Sequence, residues 1–331
     1  MKWIAAVLVV VGVAAGADKL RIEKTDRVGR KIENEYFIAD LSHRTIQGLE
    51  EDSGTLRALT YKQFGVTLLR TRNRMHWAPN LQRVGAQGYK GIGTWHPVQE
   101  FREERKGETY IHRREGYLAE YPEVKIEAEY RFFAGVPYFL FWSRLTVEKP
   151  LVVTLLRNNE MTMDQFFTHL AWPGRDGRQH ITTFDERKPL LEKEPIVARA
   201  PWLAFLNLDK GYGYGFVMLD YKATRSANPD IGISDGADNG KYWSRHIIVR
   251  EPTQIEPGDR FEERTAYVLF RCTKEEPLRE FFEWRKRIQS KFGTVNNASA
   301  APVTRRLPPP RRQRALLKTG DVFSVGRDLT G

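Results

Sequence analysis

The run Val124 to Phe132, VKIEAEYRF, places an apolar residue at every second position without a slip. Val124, Ile126, Ala128, Tyr130 and Phe132 then share one face, and Lys125, Glu127, Glu129 and Arg131 share the other. Period two is the signature of a half-buried β-strand, and no helix can sort these side chains that way. Gly135 and Pro137 supply a turn, and Tyr138 to Val147 follows with aromatic and β-branched residues at both parities. That pattern predicts a strand buried on both sides, and Val152 to Leu156 reads the same way. Tyr214 to Leu219 and Arg260 to Arg271, the latter after the turn Glu256-Pro257-Gly258-Asp259, add two more strands. Helical signals are scarce. Thr273 reads as a cap, Glu275 and Glu276 as a first turn, and Leu278, Phe281, Phe282 and Ile288 as an apolar stripe. Strands separated by short turns imply an all-β fold, a large antiparallel two-sheet supersandwich with few short helices and one C-terminal helix. Residues 18–293 read as one domain, long enough to bury a sizeable core.

The two ends differ from this body. Met1-Lys2, the apolar stretch Trp3 to Ala15 and the site Ala15-Gly16-Ala17 have the layout of a secretory signal over residues 1–17. The stretch is too short to span a membrane as a mature helix. A secreted or periplasmic protein is expected, with no stable membrane insertion after cleavage. From residue 294 to 331 the chain is basic and proline-rich, with Pro308-Pro309-Pro310 flanked by arginines, and reads as a disordered tail. Seven basic against two acidic residues in this tail account for nearly half of the formal net charge of +11. The basic pI is thus partly a property of the tail, and a nucleic-acid partner is not expected. The single cysteine, Cys272, excludes a disulfide framework and a multi-thiolate zinc site.

Ile32-Glu33-Asn34-Glu35-Tyr36-Phe37 and Asp52-Ser53-Gly54-Thr55-Leu56-Arg57-Ala58-Leu59-Thr60-Tyr61-Lys62 predict a strand, a turn glycine and a second antiparallel strand. Together with Tyr130 to Tyr138, Gly211-Tyr212-Gly213-Tyr214-Gly215 and Glu256 to Phe261, this order resembles the galactose mutarotase-like β-supersandwich. That superfamily includes aldose epimerases, the sandwich domains of several polysaccharide lyases and the C-terminal sandwich of family 38 glycoside hydrolases. The resemblance covers about residues 30–290. It implies a carbohydrate or polysaccharide as partner, and a monomer is expected. The chain departs from the epimerases. Arg72-Asn73-Arg74 only echoes their Asn-Arg pair, His96 and His169 stand where the two histidines would be, and Thr168-His169-Leu170-Ala171-Trp172 lacks their Tyr-Phe-Asn-Leu continuation. No late glutamate matches, and no catalytic barrel is present.

Two polar segments carry the candidate chemistry. Arg72, Arg74, His76 and Trp77 lie in RTRNRMHW, where guanidinium groups suit a carboxylate and an indole suits a sugar face. The competing reading is an edge strand with solvated arginines. Asn159 and Glu160, with His169 and Trp172 downstream, follow the apolar run Val152 to Leu156. A uronate lyase needs a group that neutralises the substrate carboxylate and a base that takes the C5 proton. Arg72, Arg74 and Asn159 are assigned to the carboxylate, His169 or His76 to the base, and Trp77 and Trp172 to stacking. Glu160 is a further catalytic candidate, and His96 with His169 serves the epimerase alternative. A non-catalytic carbohydrate-binding sandwich is the third alternative. Trp95, Trp202 and Trp243 are additional candidates for sugar contact. No resident cofactor or metal is expected. The oxygen-rich stretch Ser234 to Gly240 is the one place for calcium, read mainly as a glycine-rich surface loop because its spacing is not that of an EF-hand. Gly211 to Gly215 is G-x-G-x-G without a following helix, which argues against a dinucleotide site and for a turn at a strand edge.

Overall fold

The computed structural model describes residues 19–25, 29–42, 56–68, 80–86, 100–118, 120–163, 166–174, 178–184, 200–224, 230–236 and 240–293. The expected signal 1–17 and tail 294–331 lie outside them. Every strand pairing among the described residues is antiparallel. The strands form three hydrogen-bonded sheets where two were expected. One runs in chain order through β1 (Arg21–Thr25), β2 (Gly29–Glu33), β3 (Phe37–Ser42), β4 (Leu56–Tyr61) and β5 (Val66–Thr67). The largest has nine strands in the order β13 (Gln179–Thr183), β12 (His169–Pro173), β14 (Trp202–Asn207), β15 (Tyr212–Ala223), β18 (Arg260–Arg271), β10 (Tyr138–Val147), β9 (Tyr121–Phe133), β8 (Thr109–Leu118) and β7 (Glu100–Lys106). The third has the order β16 (Asp230–Gly236), β17 (Gly240–Ile255), β11 (Leu151–Met163) and β6 (Asn80–Arg83).

One face of the nine-stranded sheet carries Ile126, Tyr130, Phe132, Phe139, Phe141 and Tyr267 into the main core. There they cluster with Phe37 and Leu41 of the five-stranded sheet and Leu81, Val153 and Leu156 of the four-stranded one. The opposite face receives the C-terminal helix α1 (Arg279–Phe292). Its Phe281 and Ile288, with Leu278 just before it, pack on Trp202, Val217, Ala266 and Phe270. The result is an all-β sandwich with a helix on one outer surface, as the alternating patterns predict.

β9 behaves as its period requires on the core side, and its charged side is also covered. Glu127 and Glu129 are less than 10% exposed. Arg144 clamps Glu127 with two bonds of 2.6 and 2.7 Å, and Arg113 and Arg131 close on Glu129 at 2.8 and 2.7 Å. Buried carboxylates are tolerated because each is paired and forked. β11 departs from expectation. Val152 is 40% exposed, so this is not a strand buried on both sides. Three register shifts in its pairing with β17 re-aim the side chains along it, and the polar segment 157–163 continues the strand rather than leaving it.

The glycine-rich segment is also reassigned. Only Gly211, at φ +81°, belongs to a turn, whereas Gly213 and Gly215 sit inside β15, between β14 and β18. A Cβ on Gly215 would lie 2.7 Å from the Phe281 ring and 2.9 Å from the Leu203 carbonyl. Glycine lets the helix approach the sheet there. Thr273 does accept the Glu276 N–H, at 3.0 Å, but the turn it caps precedes the helix, which begins at Arg279. Ser234 to Gly236 and Gly240 are paired residues of a β16–β17 hairpin rather than a free loop.

Candidate functional site

A cleft lies where α1 meets the β2–β3 and β4–β5 turns. It encloses about 530 Å³. Its parts come from four places in the chain, each fixed by local chemistry. Asn34 sets the β2–β3 turn: its amide donates to the Phe133 and Val136 carbonyls at 2.8 and 2.9 Å, and its oxygen accepts the Tyr36 and Phe37 N–H groups at 2.9 Å. With all four bonds made, a buried amide becomes a rigid clamp that aims Tyr36 at the cleft. Tyr61, at the end of β4, stacks edge-on with Phe64 at 5.0 Å, and its hydroxyl points to Gln63 at 3.4 Å. The last residue of β18, Arg271, donates through Nε to Glu280 of α1 at 2.7 Å. Trp284, one turn further along α1, meets the edges of Tyr36 at 6.5 Å and Tyr138 at 6.0 Å, and the Arg287 guanidinium lies 4.7 Å from its ring centre.

Burial and the Glu280 charge push the Tyr61 hydroxyl above its ordinary range, so it stays a neutral hydrogen-bonding group. The Glu280 hydrogen bond raises Arg271, which stays charged. Arg279 and Glu283 complete the rim. Flat apolar rings and planar guanidinium, carboxylate and amide groups therefore face one small space. Of the residues chosen from sequence, none lines it. Tyr36 and Tyr61 stand within the segments that carried the family resemblance, and Trp284 lies in the span of the predicted helix but not in its stripe. Their convergence is long-range, so no local pattern marks it.

The expected site residues are distributed differently. Arg72, Arg74, His76, Trp77 and His96 lie outside the described residues, as does Trp95. Asn159 and Glu160 are in β11, with Glu160 opposite Ser244, and their side chains are outside the described set, as is that of Trp243. Their neighbour Asn158 is fully buried and donates to Ser143 at 2.9 Å. His169 is half-buried on β12, its Nδ1 2.8 Å from the Thr168 hydroxyl. Trp172 is not a stacking platform. It is 5% exposed, belongs to the main core and stacks on His180 at 5.4 Å. His169 and Trp172 are an odd number of strand positions apart and so project from opposite faces of β12. Trp202 is likewise core, packed on Phe281 and Phe282. Arg114 is 1% exposed, and burial pushes its guanidinium down to about 9, still charged at neutral pH. Among the described residues no group of three or more His, Cys, Asp or Glu could hold a metal ion. No described helix is long and apolar enough to cross a membrane.

Fold and cleft together define an all-β sandwich with an aromatic and charged cleft beside its helix. No family model matches the chain, and no curated protein does. Among solved structures the chain is similar to a TPR-domain-containing protein from Parabacteroides distasonis, at 10% identity and TM-score 0.45, over 86% of this chain and 50% of that one. It is similar to a galactose mutarotase-like protein from Lactobacillus casei, at 10% identity and TM-score 0.46, over 73% of this chain and 100% of that one. A third likeness is to the galactosidase domain of an alpha-galactosidase-sucrose kinase, at 10% identity and TM-score 0.47, over 76% of this chain and 42% of that one. The chain thus spans half the length of the first of these and less than half of the third. With identities and TM-scores of this size, activity has to be read from the chain's own residues.

Proposed function

We propose that the protein binds carbohydrate, with acidic, uronate-containing glycans as its ligands, and that one sugar unit sits in the cleft beside α1. The observation that carries this reading is the cleft itself: Tyr36, Tyr61 and Trp284 gathered with Arg271, Glu280 and Gln63 around about 530 Å³. Small-molecule sites fall in roughly the 300–1,000 Å³ range. Aromatic rings accept the C–H face of a pyranose, and planar polar groups fork onto its hydroxyls. Arg271 is paired with Glu280 and Arg279 with Glu276, which leaves Arg287, without a carboxylate partner among the described residues, to favour an anionic sugar through a guanidinium–carboxylate fork. We also read residues 1–17 as an export signal, which would place this binding outside the cytoplasm.

Titration calorimetry of the full chain tests the reading, using a uronate disaccharide against a neutral one. The uronate is expected to bind, and Arg287→Ala is expected to weaken it by roughly tenfold through loss of one charge-assisted bond. Equal binding of both disaccharides, or an unaffected Arg287→Ala protein, would overturn it.

β-Elimination is the second reading, and His169 favours it. The Thr168 hydroxyl has one proton, and the Leu206 carbonyl 3.3 Å away can only accept. If Thr168 donates there, Nδ1 of His169 must be the donor to Thr168, and Nε2 keeps its lone pair to act as a base. Ultraviolet absorbance of unsaturated uronate products, followed over uronate polysaccharides, is expected to rise with the parent protein. It should fall by about 10²–10⁴ in rate for His169→Ala. No rise on any such polymer removes this reading and leaves binding alone.

A further inference from the structure

The cleft is one end of a longer surface feature. Glu283 and Arg287 line it and also line a shallow groove that continues along α1 to Ser290 and Lys291. Past Phe292, where the helix ends, a second basin of about 260 Å³ opens on the outer face of the nine-stranded sheet. Rings connect the two ends without a break: Trp284 to Tyr138 at 6.0 Å, Tyr138 to Phe292 at 6.2 Å and Phe292 to Phe133 at 5.8 Å. Lys291 lies over the last two, 5.3 and 5.4 Å from their centres.

The charges in the second basin are not all used internally. Glu129 is held by Arg113 and Arg131, Asp220 by Lys222 at 2.6 Å, and Glu262 accepts the Trp142 indole N–H at 3.0 Å. Two charges are left without an ion pair among the described residues: Glu262, which meets only that neutral indole, and Arg264. The Arg264 guanidinium donates to the Phe292 carbonyl at 2.9 Å. Of its five N–H donors, the one on Nε is buried away from the basin, and it is the terminal N–H groups beyond the one given to Phe292 that can meet an incoming acceptor. Its position between an indole floor and a lysine matches a carboxylate carried on a ring.

We propose that this basin is a second subsite for an acidic sugar unit, and that α1, about 21 Å long, is the track along which one polymeric uronate chain reaches both. The proposal rests on the carbohydrate reading of the first cleft. It adds that the ligand is a polymer, because only a chain can occupy both ends. Once one end is bound, the second contact is intramolecular, and the overall affinity exceeds that of either end alone.

Calorimetry of the full chain with a uronate disaccharide and a hexasaccharide of the same polymer tests this. The hexasaccharide should bind on the order of 100-fold more tightly. Lys222→Gln combined with Lys291→Gln should bring the hexasaccharide close to the disaccharide affinity. Lys106→Gln combined with Lys149→Gln, an equal charge change at two exposed sites away from the basin, should leave both affinities as they are. Equal affinity for the two lengths would overturn the second subsite while the first cleft stands. Equal losses in the two double variants would do the same, since the gain would then be unspecific attraction. If the disaccharide does not bind either, the first reading falls and the track falls with it.

Discussion

Gly215 shows how much a single missing side chain decides here. Its α-carbon sits between a ring of α1 and a backbone carbonyl of β14. The Phe281 ring has some freedom to turn, but the Leu203 carbonyl at 2.9 Å belongs to a paired strand and cannot move away. Overpacking a core position costs about 1–3 kcal/mol. Gly215→Ala is therefore expected to lose about 2 kcal/mol in urea unfolding, with a lower midpoint and an unchanged slope. A loss below a few tenths would mean that the helix is loosely seated. Because α1 lines both proposed subsites, the same variant should also bind sugar less tightly. The sequence pattern G-x-G-x-G was visible, but its reason was not. Steric clearance depends on what lies across the sheet, and Phe281 is far away in the chain.

At the scale of elements, legibility follows the range of the forces involved. β9 and β18 were readable because alternation is local, and β18 spans the residues, Arg260 to Arg271, that the pattern marks. The burial of Glu127 and Glu129 was not, since it depends on arginines from β8 and β10 laying their stems over the face. β11 was misjudged because an apolar run does not say which faces are covered: Leu151 and Val153 point inward, and plain alternation leaves Val152 between them outside. α1 was recognised from its stripe, yet its start was placed too early because Thr273 caps an isolated turn. The opposition of His169 and Trp172 was within reach of the sequence. Once Thr168 to Trp172 is a strand, parity alone separates them. The cleft was out of reach. Tyr36, Tyr61, Arg271 and Trp284 meet only after four separate parts of the chain have docked.

At the scale of the whole molecule, the core is aromatic and carries many hydroxyls, and this sets how the protein should fail. Tyr61, Tyr110, Tyr130, Tyr138 and Tyr214 are each less than 5% exposed. Burial raises the pKa of every one of them above its ordinary value of 10.0. Burial likewise pushes the Cys272 thiol up to about 12. In the unfolded chain the thiol ionises near pH 9 and the phenols near 10. Above those values the unfolded state binds fewer protons than the folded one, so stability falls as pH rises, by about 1.4 kcal/mol per pH unit for each group. Below pH 9 these groups are protonated in both states, and their contribution is fully present. Arg114 and Arg285, both lowered by burial, work the other way in the same window, but they are two groups against six. The four most strongly shifted phenols, Tyr61, Tyr110, Tyr130 and Tyr214, acting together exhaust a stability of about 5–15 kcal/mol within roughly two pH units. The protein should therefore unfold cooperatively between about pH 10 and 12, and tyrosinate absorbance and circular dichroism should change together at one midpoint. A gradual rise in tyrosinate absorbance from pH 10 with an unaltered dichroism spectrum would show that the phenols reach water in the folded state. The centre of the core, where Tyr130 and Tyr214 sit, would then be open to water.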